Sequence, residues 1–158
     1  MFRNFCVYLC GGLLCGSLLF GAKKPEVIDI TANSFKSIGN KTTITGDVRI
    51  KKGGDLLLSD SAIVFTDSAR KPLYYEAIGN VKFVIITTDK RELSGNGGRL
   101  VYDVKTNQYK LYDNAEVRER GKSNVLRGDA IVLSGDGEYA NIAGNKGKHA
   151  RVTFTLED

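Results

Sequence analysis

The sequence predicts an all-β protein, a single domain of short antiparallel strands that meander along the chain. Three observations predict it: apolar and polar residues alternate with a period of two, turn-forming residues recur at short intervals, and a strand–turn unit repeats. Apart from a turn or two near the start, no window has the apolar stripe of an amphipathic helix. Regularly spaced short strands of this kind favour a sandwich, a jelly roll or a barrel.

An internal repeat organises the chain. A Gly-Asn/Asp-Val step opens an alternating strand at Gly46 and Gly79, and Asp113 takes the glycine position of the third copy, so that the openings lie 33 and 34 residues apart. A fourth opening at Gly144 lacks the valine, and we therefore expect the last strand to enter the sheet differently. The second part of the unit, a Leu-x-x-x-small segment, begins at Leu58, Leu93 and Leu126. Repeats of this length indicate one supersecondary unit used several times.

Alternation assigns faces to the strands. From residue 43 to 50, the apolar members of the alternating run are Ile44, Val48 and Ile50. Two later runs alternate in the same way, through Leu111, Ala115 and Val117 and through Val152, Phe154 and Leu156. Residues 56–58, 62–65 and 81–86 are apolar in both phases. Such strands are either covered on both faces or contribute to a groove that is open to a lipid.

The first 22 residues are expected to be a secretory signal peptide, followed by an exported domain over residues 23–158. Residues 5–20 carry no charge and follow Arg3, and the apolar run is short for a membrane span. Neither Ala22 nor the Cys15-Gly16-Ser17 step is an ideal cleavage site, so an uncleaved inner-membrane anchor is the alternative. All three cysteines precede residue 23, which predicts an exported domain without disulfides.

Charge and composition argue against several classes of function. Loss of the leader removes Arg3 and no acidic residue, so the net charge falls from +5 to +4. Basic residues are interspersed with acidic ones rather than gathered on one face with aromatics, which excludes a nucleic-acid binder. The single histidine, His149, lies in a Gly/Lys-rich turn, and no nucleophile, metal or dinucleotide motif accompanies it. We expect no enzyme activity, no metal and no cofactor.

The repeat resembles the OstA-type repeat of the LptA-like lipopolysaccharide transport proteins, a family that includes the LptC periplasmic domain and the amino-terminal domain of LptD. The resemblance covers about residues 27–156. The residues that carry it are Ile30-Thr31-Ala32-Asn33-Ser34, Gly46-Asp47-Val48, Leu58-Ser59-Asp60-Ser61-Ala62, Gly79-Asn80-Val81, Leu93-Ser94-Gly95-Asn96-Gly97, Asp113-Asn114-Ala115 and Leu126-Arg127-Gly128-Asp129-Ala130.

The resemblance implies a single antiparallel β-jelly roll, open at both ends, that shields the acyl chains of lipid A in an apolar groove in the periplasm. From strand phase, the candidate groove residues are Ile44, Val48, Ile50, Val64, Val81, Phe83, Ile85, Leu100, Tyr102, Leu111, Val117, Val132, Val152 and Phe154. The same side chains would serve equally as an ordinary core.

The resemblance also implies a bridge in which jelly rolls stack head to tail between the inner and outer membranes. The partners would be lipopolysaccharide, other copies of this chain, and LptC-like and LptD-like jelly-roll domains, which pair through exposed edge strands. The candidate edge residues are Val27, Ile28, Ile30, Val152, Phe154 and Leu156. The alternatives are an anchored LptC-like adaptor and a structural periplasmic β-protein without a lipid ligand.

Overall fold

The computed structural model describes residues 27–154, and the predicted signal peptide lies outside them. These residues form ten β-strands and no helix, which confirms the all-β prediction. The strands are β1 (Ile28–Thr31), β2 (Ser34–Ile38), β3 (Lys41–Lys52), β4 (Asp55–Thr66), β5 (Pro72–Ile86), β6 (Glu92–Asp103), β7 (Gln108–Glu119), β8 (Val125–Ser134), β9 (Ala140–Ala143) and β10 (Arg151–Thr153).

All ten strands belong to one antiparallel sheet. Strands β3 to β8 pair in chain order as a meander. At one end of the sheet both β1 and β2 pair with β3, and at the other end both β10 and β9 pair with β8. Each edge is therefore one strand in two parts. We call β1 and β2 the N-terminal edge, and β9 and β10 the C-terminal edge.

A line of β-bulges divides the sheet into two halves. The register shifts in the middle of every pairing from β3–β4 to β7–β8. On three strands the cause is a pair of consecutive left-handed residues, Gly46-Asp47, Gly79-Asn80 and Asp113-Asn114, with φ between 47° and 82°. The repeated opening of the sequence is thus a bulge. We call the part of the sheet with β1 and β10 the lower half, and the part with β2 and β9 the upper half.

The glycine of the repeat also makes room for a neighbouring side chain. Asn33 lies against Gly46, and Asp60 lies against Gly79 in the same way on the next pair of strands. A Cβ atom on Gly79 would stand 2.5 Å from Oδ2 of Asp60, which in turn accepts a 2.8 Å hydrogen bond from Nδ2 of Asn80. The position therefore requires glycine both for its positive φ and for the close approach of the aspartate.

Register places one apolar row on the inward face of each half. The row in the lower half, from edge to edge, is Ile30, Ile50, Leu57, Phe83, Gly95, Val117, Leu126 and Val152. The row in the upper half is Phe35, Ile44, Ala62, Ala77, Leu100, Leu111, Ile131 and Ile142. Residues of both halves belong to the same buried cluster, so the two halves fold against each other and form the core between them.

The sheet closes on itself through contacts between its two halves. In each contact, the lower end of two adjacent strands meets the upper end of the two strands that lie three positions further along the sheet. At the first such contact, the β3–β4 turn reaches β6 and β7. Nζ of Lys52 lies 5.5 Å from the ring centre of Tyr102, and the hydroxyl of Tyr109 donates to Oδ2 of Asp55 at 3.5 Å. We call the line along which the two halves meet the seam.

The second seam contact has the same offset. Nη2 of Arg91, in the β5–β6 turn of the lower half, donates a 2.9 Å hydrogen bond to the carbonyl oxygen of Gly137 in the β8–β9 turn of the upper half. Asp89 holds the guanidinium through a 2.6 Å ion pair with Nε. A side chain at position 137 would collide with Nη2 of Arg91, and the positive φ of Gly137 also favours glycine there.

Candidate functional site

The interior between the two halves contains eleven of the fourteen predicted groove residues. Eight of them are at most 5% exposed, Ile50 and Val64 are each 9% exposed, and Tyr102 is partly buried against the core. The eleven are Ile44, Val48, Ile50, Val64, Val81, Phe83, Ile85, Leu100, Tyr102, Leu111 and Val117.

The structure places the other three elsewhere. Val132 lies on the outward face, because its neighbours Ile131 and Leu133 are the buried residues of β8. Val152 belongs to the inward row but is 53% exposed, since β10 is at the edge and has no strand beyond it within the described residues. Phe154 follows the last strand and is 62% exposed. The inward placement of Val132 was wrong. Val152 keeps its inward phase at an edge and Phe154 lies beyond the last strand, and the lipid-binding role of the groove residues stays a prediction.

Sequence phase also missed a set of inward residues. The missed residues are Leu57, Tyr75, Leu93, Tyr109, Leu126, Ile131 and Leu133. Three of them, Leu57, Ile131 and Leu133, lie in runs that are apolar in both phases, where alternation does not choose a face. The bulge inside each of the strands β3 to β8 also resets the phase partway along. The repeat could have identified these residues. It marks where each strand bulges, and the bulge position determines which residues on either side of it face inward.

Two cavities occupy the interior. The first has a volume of about 60 Å³ and is bordered by Tyr75, Phe83 and Leu100, among other residues. The second, of about 150 Å³, lies nearer the C-terminal edge between Leu93 and Leu133. A cavity of roughly 150 Å³ accepts one benzene molecule. Neither of these two spaces is large enough for several acyl chains.

Three tyrosines line the upper rim of the first cavity. The ring centres of Tyr75 and Tyr102 are 6.2 Å apart, and those of Tyr102 and Tyr109 are 4.5 Å apart, with the rings stacked in both pairs. Burial raises the pKa of Tyr75 above its ordinary value of 10.0, so this hydroxyl stays neutral at physiological pH. The rim thus presents aromatic faces to the interior and adds no negative charge.

The outward face of the lower half carries the charged residues. One outward row includes Arg49, Lys82, Arg127 and Arg151, and its acidic member is Glu116. Glu116 binds Arg127 and Arg118 at 2.6 Å each, and these hydrogen bonds hold the pKa of its carboxyl below the usual value of 4.5. The molecule is consequently apolar inside and ionic outside.

The two edges expose apolar side chains. The structure places Ile28 and Ile30 in the N-terminal edge and Val152 in the C-terminal edge, at opposite ends of the sheet, while Val27 and Phe154 flank these strands. Leu156 lies outside the described residues. The sequence did not assign β2 or β9, which add an exposed Phe35 to one edge and a half-buried Ile142 to the other.

Catalytic and metal-binding features do not emerge from the described residues. Residues 27–154 contain no group of three or more His, Cys, Asp or Glu side chains that could hold a metal ion. His149 is exposed in the segment between β9 and β10. The search of these residues also finds no helix long and apolar enough to span a membrane.

Comparison with known proteins gives one family and one fold. A profile described as "LptA/(LptD N-terminal domain) LPS transport protein" matches residues 29–139. A solved structure of LptH, the LptA homologous periplasmic component of the lipopolysaccharide transport device of Pseudomonas aeruginosa, superposes with a TM-score of 0.71 at 20% identity. The superposition covers 84% of this chain and 96% of that chain, and it confirms the jelly-roll fold. No curated protein matches the sequence.

Proposed function

Since the chain belongs to the LptA/LptD amino-terminal domain family of lipopolysaccharide transport proteins, we propose that it is a periplasmic carrier that shields the acyl chains of lipid A between its sheet halves. We propose further that it forms part of a head-to-tail bridge between the membranes. The observation that carries the proposal is the pair of inward apolar rows, each of which crosses all eight strand positions from edge to edge.

An apolar path of this kind matches the physical problem of moving a lipid through water. Each buried methylene contributes about 0.8 kcal/mol, so an acyl chain of about twelve carbons resists exposure by roughly 10 kcal/mol. A carrier must therefore cover the chain continuously. The inward rows run to both edges and end in exposed members, Phe35 at one edge and Val152 at the other, so a neighbouring domain could continue the cover without a polar gap.

Lipid uptake requires the two halves to separate. Cavities of about 60 and 150 Å³ cannot hold several acyl chains. Separation would release the apolar contacts of the shared core and the polar contacts of the seam. The seam contacts include the hydrogen bond from Arg91 to Gly137 and the contacts of Lys52 and Asp55 with tyrosine side chains. The bulge line on the opposite side remains as the joint between the halves.

Chain direction at the two edges suits head-to-tail stacking. The N-terminal edge runs from the lower half to the upper half, and the C-terminal edge runs from the upper half to the lower half. Pairing the C-terminal edge of one copy with the N-terminal edge of the next is therefore antiparallel and extends the same sheet. Because the two edges are different surfaces, the association is heterologous and does not close.

The test is site-specific photo-crosslinking in cells that make lipopolysaccharide. We expect covalent lipopolysaccharide on a photoreactive residue at Phe83, which points inward, and none at the adjacent Lys82, which points outward. A second pair avoids disturbing the core: Val152 is inward but half exposed, and Thr153 is its outward neighbour. Lack of attachment at both inward positions in a folded protein would reject the carrier function.

Sequencing the amino terminus of the mature protein separates the carrier from an anchored adaptor. A periplasmic carrier would begin near residue 23, whereas an LptC-like adaptor would retain the leader. Size measurement of the purified protein tests the bridge independently, since a head-to-tail association gives species that grow with concentration.

A further inference from the structure

The two seam contacts follow one rule. The lower turn between β3 and β4 meets the upper ends of β6 and β7, and the lower turn between β5 and β6 meets the upper turn between β8 and β9. In both cases the offset is three strands. The third lower turn joins β7 and β8. With the same offset it would meet the first and second strand positions beyond the C-terminal edge, where the described chain has no strand.

A second copy would supply those strands. If its N-terminal edge continued the sheet beyond the C-terminal edge of the first copy, the next two strand positions would be its own β1–β2 and β3. The upper turn between them is the β2–β3 turn. The lower β7–β8 turn of one copy would then face the β2–β3 turn of the next.

The residues at these two turns are chemically matched. Glu119 and Asn124 flank the β7–β8 turn, and both border an open cleft of about 470 Å³ there as well as the second interior cavity. At the β2–β3 turn, Ser37 and Thr42 pair in register, and their hydroxyl oxygens are 2.8 Å apart. The Glu119 carboxylate also forms a 3.0 Å ion pair with Nζ of Lys122 in the same turn. If the rule holds at the junction, this carboxylate and the Asn124 amide would face two hydroxyl groups.

The matching extends the pattern seen within the chain. Thr42 belongs to the same inward row as Tyr102 and Tyr109, whose side chains meet Lys52 and Asp55 at the first seam contact. At the junction of two copies, hydroxyl groups of Ser37 and Thr42 take the positions of the two tyrosines. By the same offset, Glu119 at the end of β7 takes the position of Lys52 and lies opposite Ser37, and Asn124 before β8 takes the position of Asp55 and lies opposite Thr42.

We propose that the seam continues across the junction between copies, through a contact of Glu119 and Asn124 on one copy with Ser37 and Thr42 on the next. This contact is separate from edge-strand pairing and rests on the head-to-tail association proposed above. It closes the interior at the junction, where edge pairing alone would leave the two halves of neighbouring copies unconnected along the seam.

Cysteine crosslinking tests the contact. The full chain, with Cys6, Cys10 and Cys15 replaced by alanine, is expressed with its leader in two single-cysteine forms, Ser37→Cys and Asn124→Cys. We expect a short bismaleimide to join the two forms into dimers when they are mixed. The matched control replaces Ser37→Cys with Lys71→Cys, a position in the upper β4–β5 turn, which should give no dimer above background.

A charge variant gives a second measurement on the same contact. Ser37→Glu places a carboxylate opposite Glu119 and should weaken association roughly three- to five-fold. Thr43→Glu, on the outward face of the paired strand β3, should leave association unchanged. Light scattering on these samples reports the association directly.

The outcomes separate this inference from the proposed function. Association of the unmodified protein without a Ser37–Asn124 crosslink, or with equal crosslinking at Lys71, overturns the seam contact and leaves edge pairing intact. Absence of any association removes the second copy and overturns both the contact and the head-to-tail bridge. Equal weakening by Ser37→Glu and Thr43→Glu also counts against the contact.

Discussion

Arg91 and Gly137 are 46 residues apart in the chain, and a 2.9 Å hydrogen bond between them joins the lower half of the sheet to the upper half. Replacing Arg91 with alanine should lower the free energy of unfolding by about 1–2 kcal/mol, because it removes a charge-assisted bond from a partly buried guanidinium. Urea denaturation measures the change.

Arg70 is a matched control for this prediction. Its guanidinium also donates to a backbone carbonyl, that of Gly39 at 3.2 Å, but the bond joins two turns of the upper half and is exposed. Arg70→Ala should cost less than about 0.5 kcal/mol. Equal losses for the two variants would contradict a special role of the Arg91 contact in closing the seam.

Because Asp60 lies so close to Gly79, replacing Gly79 with alanine should lower the free energy of unfolding by more than the cost of a positive φ alone. Gly121→Ala measures the cost of positive φ alone, about 1 kcal/mol, because φ there is 77° and no atom lies within 4 Å of the added Cβ. Gly79→Ala, at φ 82°, adds the collision with Asp60 and should cost at least about 2 kcal/mol.

A double-mutant cycle identifies the source of that difference. In an Asp60→Ala background the cost of Gly79→Ala should fall toward that of Gly121→Ala, because the colliding carboxylate is gone. If the cost is the same in both backgrounds, the glycine is required for φ alone and the close approach has no energetic role.

The ion pairs of Glu116 predict a dependence of stability on pH. Because Arg127 and Arg118 lower the pKa of this carboxyl in the folded state, the stabilisation is present above the ordinary value of 4.5 and is lost as the pH falls through the lowered value. Below pH 4.5, the unfolding temperature should therefore fall more steeply with decreasing pH for the natural protein than for Glu116→Gln. The same substitution at Glu138, an exposed turn residue outside this pair, should leave the slope unchanged.

In β8, Leu133 faces inward and Val132 faces outward, so the two positions should differ in crosslinking to lipopolysaccharide. Leu133 is 6% exposed on the inward face, whereas Val132 faces outward. A photoreactive residue at Leu133 should attach to lipopolysaccharide, and one at Val132 should not. Attachment at Val132 with none at Leu133 would contradict the carrier geometry proposed above.

Much of the fold could be predicted because it is encoded locally. The repeat openings at Gly46, Gly79 and Asp113 prove to be bulges, so the repeat marks the line that divides the sheet. The expectation that the last strand enters differently rested on the missing valine after Gly144, and β10 does follow an interruption. The family resemblance is confirmed by the profile match, and because this is a family of transport proteins, the expectation that the chain is not an enzyme holds as well.

The remainder depends on distant parts of the chain. Val132 was assigned to the wrong face because residues 130–133 are apolar in both phases and their phase follows from a bulge on the neighbouring strand. At the seam, Arg91 donates to the backbone carbonyl of Gly137. Every residue has such a carbonyl, so the pattern of side chains in the sequence does not predict this contact. The exposure of Val152 follows from its place at an edge, and alternation alone does not reveal which strand is last.

The two-part edges restrict which strands the sheet can recruit. β9 and β10 are four and three residues long, and the segment between them turns back on itself through a bridge between Asn145 and Lys148. A continuous strand from an unrelated protein would pair over one short part and then meet this obstruction, and such short pairing is marginal in water. An open sheet in a crowded compartment is an aggregation hazard. Its broken margins discourage amyloid-like growth by other proteins.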